Sequence, residues 1–332
     1  MTKRPGLPFT LALAAGLLAA VVVVWPQGVG IHRLPVVANL VALRGILALG
    51  LVALAVVCAL IAGVRRSWGV AAGLATALAV AALSTGGILA VRGFGGPEAD
   101  ADLTVVAWNA YGGGASPESI ARLVRDSGAD VVSLPETDAD AAAEVVGILM
   151  RNGIRMRADT VRAAPGGEVI PTSILISEEL GPYVRDGTPG STPGLPSGVW
   201  RPVDGNGPVL VAAHPMPPLP GLTDEWVAGL EWIAGRCDEP DVIVAGDLNA
   251  TVDHLAGLGL DGGVVGGCRD AAADAGAAAL GTWPVRLPPG LAAPIDHVLV
   301  GVSWRVRAFE VQTGFDDAGS DHRPVVARLS RG

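Results

Sequence analysis

The stretch DVIVAGDLNA, residues 241–250, decides how the chain folds, and SDHRPVVARL, residues 320–329, is its counterpart. In the first, Val242 to Ala245 form a short apolar run bounded by Asp241 and Gly246, the pattern of a buried strand. The polar residues Asp247 and Asn249 follow at its exit. In the second the order is reversed, with Ser320, Asp321 and His322 ahead of a strand from Pro324 to Leu329. Both stretches place polar groups at a strand end, where a rigid scaffold presents residues that do chemistry.

Working outward, the same arrangement recurs. Strands predicted at Leu103–Trp108 and Asp130–Leu134 are followed by Asn109 and Glu136, the strand Pro208–Ala213 by His214, and Asp296-His297 opens the strand Asp296–Val300. Ser173–Ser177 and Trp304–Val311 also read as strands. One helix has Ser116 as its N-cap, Pro117 at its first position, Ile120, Leu123 and Val124 on one face, and Gly128 as its stop. A second starts at Thr137 or Asp138 and ends at Asn152-Gly153. A third, Asp224–Ala234, aligns Trp226, Leu230 and Ile233. Residues 181–207, rich in Gly and Pro, read as a long surface loop. There is no internal repeat, and the pattern is that of a layered α/β sandwich. Taken singly, Asp247 and Asn249 are turn formers, Asn109 caps a turn and a lone His is a core residue. Their shared placement at strand ends points to one cleft.

The composition divides the chain in two. Half of its 332 residues are hydrophobic and 17% are charged, with mean hydropathy +0.47, against about 25% charged in an average soluble protein. An ordinary cytosolic enzyme and a disordered chain are thereby excluded. Residues 1–100 hold seven basic and two acidic residues, a net of +5, while the rest holds 16 basic and 30 acidic, a net of −14. A membrane anchor over residues 1–95 joined to a folded domain over 96–332 produces such a division. Apolar runs at about 7–25, 43–63 and 68–91 each match the ~20 residues of a membrane-crossing helix. Lys3 and Arg4 precede the first run and Arg65-Arg66 sit between the second and third, so the positive-inside rule places the N-terminus and that link in the cytoplasm. Three spans then put everything after Val91 on the extracytoplasmic side. A cleaved signal peptide in the first run gives the same side, though no small-x-small pattern follows Val24. Asn39 and Arg44 are read as polar groups in or near the second run, with Arg44 reaching to the interface.

The segments Val106-Ala107-Trp108-Asn109, Leu134-Pro135-Glu136, Ala213-His214, Gly246 to Ala250, Ile295 to Val298 and Ser320 to Val325 together resemble the endonuclease/exonuclease/phosphatase family, over residues 103–329. GDLNA and SDHRPV are the most specific of these. The resemblance implies the DNase I-like four-layer α/β sandwich, preceded here by three transmembrane helices, and a metal-dependent hydrolase of phosphoric ester bonds. Pro135 stands where family members commonly have Gln, which bears on the local geometry of Glu136. Pro171-Thr172-Ser173 shows no match to the Tyr or Arg that the family often carries near the phosphate.

The resemblance and the chemistry of the side chains imply the same roles. Asn109, Glu136 and Asp321 offer oxygen ligands, which suit a hard cation such as Mg²⁺, with Mn²⁺ as the alternative. Asp247 activates or orients the attacking water, and Asn249 holds Asp247 or the phosphate by its amide. His322, protonated through Asp296, hydrogen-bonds a non-bridging oxygen, and His214 stabilises or protonates the leaving group. Trp283, in a segment that lies at the cleft rim in the family, is the candidate for a substrate contact. Glu168 is weighed as an orienting acid for His214 against a plain loop acid. Asp102, Asp270 and Asp274 read as surface charge.

Residues 101–332 contain no lysine and carry −14, which argues against a polyanionic nucleic acid, since such binding depends on Lys and Arg contacts. A phosphodiester of a lipid head group or a small phosphate ester fits better. An extracellular nuclease is the alternative. A non-catalytic, membrane-tethered binding module is the alternative of another class, and it requires Asp247, His322 or Glu136 to be missing, yet all three are present. The bilayer is the expected partner of the anchor, and no protein partner is predicted. Cys58 lies within the second span. Cys237 and Cys268 form one disulfide or stay as two buried thiols. Trp226, Trp232 and Trp304 read as core, and Gly112 to Gly114 as a turn close to Asn109.

Overall fold

A computed structural model describes residues 6–66, 68–96, 100–162 and 170–332, and Lys3, Arg4, Pro97 and Glu168 lie outside them. The chain divides into two compact units, Met1–Arg92 and Gly93–Gly332.

The first unit holds helices α1 (Leu7–Val24), α2 (Pro35–Ala42), α3 (Arg44–Val64) and α4 (Val70–Arg92). Helices α1, α3 and α4 are long and apolar enough to cross a membrane. Gly73 lets α1 approach α4: a Cβ there would lie 2.6 Å from the Phe9 carbonyl oxygen. Arg44 lies at the start of α3. It is buried, and its guanidinium donates to the Val24 carbonyl at 3.1 Å, serving the last turn of α1, whose carbonyls lack helical partners.

In the second unit two six-stranded sheets form around two parallel pairs. β1 (Leu103–Ala107), α5 (Pro117–Ser127) and β2 (Val131–Leu134) make one crossover, followed by α6 (Ala139–Arg151), β3 (Met156–Val161) and β4 (Thr172–Ser177). β5 (Tyr183–Asp186) and β6 (Gly198–Pro202) lead into the second crossover, β7 (Val209–Ala213), α7 (Thr223–Arg236) and β8 (Val242–Asp247). β9 (Arg269–Asp270), α8 (Ala271–Asp274), β10 (Asp296–Val300), β11 (Trp304–Val311) and β12 (Val325–Arg331) complete the chain. The sheet orders are β11-β12-β1-β2-β4-β3 and β5-β6-β7-β8-β10-β9.

The continuous apolar runs are explained by burial on both faces. Val105, Ala107 and Ile174 of the first sheet meet Leu210, Ala212, Ile243 and Val298 of the second in one core. The alternate residues Val106, Val132 and Leu175 pack with Ile120, Leu123 and Val124 of α5 and Val145 and Leu149 of α6 in another. On the second sheet the alternates Val211, Val244 and Leu299 are also buried, and α7 buries Trp226, Leu230 and Ile233. The architecture is the four-layer α/β sandwich expected. Its helix starts follow the chemistry of their caps: Ser116 Oγ accepts from the Ser119 N–H at 3.2 Å and Asp138 Oδ1 from the Ala141 N–H at 2.8 Å.

Residues 181–207 are not a plain loop, since β5 and β6 pair there at the edge of the second sheet. β3 also departs from the sequence reading. The edge strands β3 and β5 carry exposed Arg157, Val184 and Arg185 and little period-two alternation, so only pairing to a neighbour defines them, while β6 is buried between β5 and β7.

Cys237, at the end of α7, is bonded to Cys268, just before β9, a separation of 31 residues. Closing that loop stabilises the fold by roughly 4 kcal/mol through the unfolded chain. The Cys237→Ser/Cys268→Ser variant of the full chain should unfold at a lower temperature than the parent, and dithiothreitol should bring the parent down to the same midpoint. Equal midpoints without reductant would show that the bond contributes nothing.

Candidate active site

The turn after β8 starts the site. Gly246 has φ 153°, and a Cβ there would stand 1.9 Å from the Ala213 carbonyl oxygen of β7. Only glycine lets these two parallel strands run together and release Asp247 and His214 side by side. The Asn249 N–H donates to Asp247 Oδ1 at 2.8 Å, and Asn249 itself is left-handed with φ 48°.

The structure brings all nine predicted site residues into one network. Asn109 Nδ2 donates to Glu136 Oε1 at 3.0 Å and to Asp247 Oδ2 at 3.1 Å. His214 Nε2 lies 3.8 Å from Glu136 Oε1 and 3.9 Å from Asp247 Oδ2. His322 Nδ1 bonds Asp296 Oδ2 at 2.8 Å, while its Nε2 stands 3.7 Å from Asp247 Oδ2 and 3.9 Å from Asp321 Oδ1. The Trp283 indole N–H donates to Asp321 Oδ2 at 2.8 Å.

The structure adds the direction of three of these side chains. The Asn109 oxygen accepts from the Tyr111 N–H at 2.9 Å, so Asn109 meets the carboxylates with its amide nitrogen and not with a ligand oxygen. The Asn249 side-chain amide donates to the Pro215 carbonyl at 3.0 Å and so ties its turn to the one following His214. Trp283 is engaged with Asp321, with its ring partly exposed. Pro135 is accommodated: its carbonyl accepts from the Ala110 N–H at 3.0 Å, and Glu136 takes a left-handed φ of 58°.

The two histidines are in opposite charge states. Burial lowers the pKa of His214 to about 4 against the opposing pull of Asp247, so this imidazole is neutral near pH 7 and cannot serve there as a cationic acid. Burial also opposes a charge on His322, but Asp296 and Asp247 outweigh it and raise the value to about 10. Burial raises Asp247, with His322 pulling the other way. Glu136 is raised by burial, then lowered in part by Asn109, with Asp247 and Asp321 adding repulsion.

Asp247, Asp296 and His322 place potential ligand atoms within 4.8 Å of one another. A charged imidazole bound to Asp296 is a poor ligand, however, because a metal needs a free nitrogen lone pair. Glu136 and Asp321 suit a cation better: they crowd each other electrostatically, and Asp321 Oδ1 is buried without a hydrogen-bond partner among the described residues. An oxygen-donor divalent ion fits that set.

Sequence reasoning passed over several supporting residues. Ser320 Oγ donates to the Asn109 carbonyl at 2.6 Å and accepts the His322 N–H at 3.0 Å, and Ser197 Oγ accepts the His214 N–H at 2.8 Å. Asp270 is not surface charge: it is 1% exposed and bonded to His297. An acid directly before the run Ala271-Ala272-Ala273 is an N-cap signal that could have indicated this.

A two-sheet α/β sandwich with buried carboxylates and histidines at its strand ends defines a class of hydrolytic fold. Residues 106–322 match the model of the endonuclease/exonuclease/phosphatase family, and the chain belongs to that family, whose members are metal-dependent hydrolases of phosphoester bonds. Among solved structures it is similar to a D. rerio TDP2 carrying 14 humanising mutations (16% identity, 68% of this chain and 98% of that one, TM-score 0.52). It is also similar to family members from Bacteroides vulgatus (14%, 69% and 99%, 0.50) and Beutenbergia cavernae (19%, 70% and 72%, 0.49). No curated protein matches the chain.

The charge states predict how stability varies with pH. His322 rises from 6.5 to about 10 on folding, so its contribution is complete below 6.5 and is lost as pH climbs through about 10. His214 falls from 6.5 to about 4, so its contribution is complete above 6.5 and is lost as pH drops through about 4. Denaturation midpoints across this range should flatten on the alkaline side in His322→Gln and on the acid side in His214→Gln. Unchanged slopes would remove these assignments.

Proposed function

We propose that the chain is a membrane-anchored phosphodiesterase, with residues 1–95 as the anchor and residues 96–332 as an extracytoplasmic catalytic domain. The observation that carries the catalytic reading is the His322 imidazole, bonded through Nδ1 to Asp296 at 2.8 Å with Nε2 standing 3.7 Å from Asp247. Asp247 accepts a proton from the attacking water, a task favoured by the rise that burial gives its basicity. His322 donates to a non-bridging phosphate oxygen and stabilises the charge that grows there. His214, neutral, offers a hydrogen bond to the leaving oxygen. Asn249 fixes the turn that aims Asp247. Trp283 orients Asp321 and presents its ring to the substrate. Glu136 and Asp321 would hold Mg²⁺ or Mn²⁺, joined by Asn109 once its amide turns, and the ion supplies neutralisation of phosphate charge.

The lysine-free, acidic domain and the three apolar helices support a lipid head group or small phosphate ester as substrate. The Cys237–Cys268 bond supports an oxidising, extracytoplasmic setting. The nuclease reading draws on the family's name and on a similar D. rerio TDP2 complexed with a single-strand DNA product, at 15% identity and TM-score 0.50, a likeness of fold.

The full chain in detergent should hydrolyse bis(p-nitrophenyl) phosphate with Mg²⁺ and stop on addition of EDTA. Asp247→Asn should lower kcat by roughly 10²- to 10⁴-fold. Equal rates with and without EDTA would sink the mechanism. In a panel of sphingomyelin, phosphatidylinositol, lysophospholipid, inositol phosphates and plasmid DNA, cleavage of DNA alone, falling steeply with salt, would replace the lipid reading by the nuclease one. A protease added to intact cells should digest the catalytic domain; protection of that domain would reverse the topology.

A further inference from the structure

His297 follows Asp296 on β10 and, by the alternation of a strand, points to the opposite face of the sheet. It is buried, and every group its ring nitrogens meet is an acceptor. Nδ1 makes a very short contact with Asp270 Oδ2. Nε2 lies 2.8 Å from the Ala250 carbonyl oxygen and 3.1 Å from that of Pro294. A neutral imidazole has one N–H, so acceptors on both nitrogens call for the doubly protonated ring with Asp270 as its counter-ion. The electrostatics agree: burial opposes the charge, but Asp270 and the Ala250 carbonyl outweigh it and raise the pKa.

The two carbonyls belong to the segments that carry the reaction. Ala250 closes the turn holding Asp247 and Asn249, and Pro294 stands two residues before Asp296. The Leu248 N–H also donates to the Ile295 carbonyl at 2.9 Å, so the segments are already neighbours. A charged N–H shared between two carbonyls grips both more strongly than a neutral donor would. On the other side, Asp270 Oδ1 accepts the Ala273 N–H at 2.8 Å and caps α8, and Asp270 lies two residues beyond the bonded Cys268. The grip is thus anchored next to the disulfide that ties this edge of the second sheet to the end of α7.

We propose that His297, paired with Asp270, is a positioning residue for hydrolysis: its clamp on the Ala250 and Pro294 carbonyls sets where Asp247 stands relative to Asp296 and His322. The pair touches no reacting atom. The proposal rests on the phosphodiesterase reading for its kinetic test and on geometry alone for its structural one.

The kinetic test uses the full chain, Mg²⁺ and bis(p-nitrophenyl) phosphate. His297→Phe keeps a ring and removes both donors; it should lose kcat on the order of 10²-fold with KM unchanged, the pattern of a misplaced group. Asp270→Asn/His297→Gln rebuilds the clamp without charge, since the glutamine amide can donate to the carbonyls and accept from the asparagine. This double variant should recover most of the loss and exceed Asp270→Asn alone, a comparison that stands even if His297→Phe does not fold. A parental kcat in His297→Phe, a loss confined to KM, or a double variant no better than Asp270→Asn overturns the proposal. Hydrogen exchange supplies the structural test: amides of 247–251 should exchange faster in Asp270→Asn than in the parent, and those of β2 should not. Unchanged exchange overturns the clamp. If the parent itself does not cleave the diester, the phosphodiesterase reading fails and the exchange result still decides the clamp.

Discussion

The pairing of β8 with β10 sets Asp247 directly opposite Asp296 in an antiparallel ladder. Two negative charges so placed would repel each other in a medium that screens poorly, and a cation between them relieves that repulsion. His322 is that cation. It reaches both acids from the segment leading into β12, a strand of the other sheet. Its backbone is held from there as well, since the Trp108 indole donates to its carbonyl at 2.9 Å and Ser320 accepts its N–H. The charge balance of the site therefore exists only when the two sheets are packed. Removing the histidine alone would leave a buried charge uncompensated, the costly half of a broken ion pair.

The same logic separates the two histidines. His322 has a carboxylate at Nδ1 and two more near Nε2, whereas His214 Nδ1 has no hydrogen-bond partner among the described residues. Burial is nearly complete for both, so neighbours alone decide which ring keeps its proton. A cluster of carboxylates thereby contains one fixed positive charge and one neutral donor, two functions that one residue type supplies from a single cleft.

Much of this was legible in the sequence because the site residues sit at strand ends in short, specific motifs. The GDLNA and SDHRPV stretches locate Asp247, Asn249, Asp321 and His322, and strand ends at Asn109, Glu136 and His214 add the rest. Helix starts were readable from Ser116 and Asp138, whose caps act within three residues. The strands β3, β5 and β6 were not readable: β3 and β5 are sheet edges with exposed residues, and β6, buried at Gly198, Val199 and Trp200 between β5 and β7, lies in a stretch rich in Gly and Pro. The direction of an amide was equally hidden: Asn109 and Asn249 lie beside Asp247, yet their partners, Tyr111 and Pro215, depend on backbone that only folding positions. Asp270 was misread for a related reason, since its burial comes from His297, 27 residues away along the chain.

Tyr111, Glu136 and Asn249 all hold left-handed backbone angles, with φ of 54°, 58° and 48°. For side-chain-bearing residues this costs of order 1–3 kcal/mol each, and the three cluster around one cleft. On the proposed mechanism, stability and turnover are therefore opposed at Glu136. A population of variants selected only for resistance to heat would drift toward glycine at 111 and 136, relaxing the backbone as it discards the carboxylate. The sturdiest descendants of this chain would be well-folded proteins with an empty catalytic function.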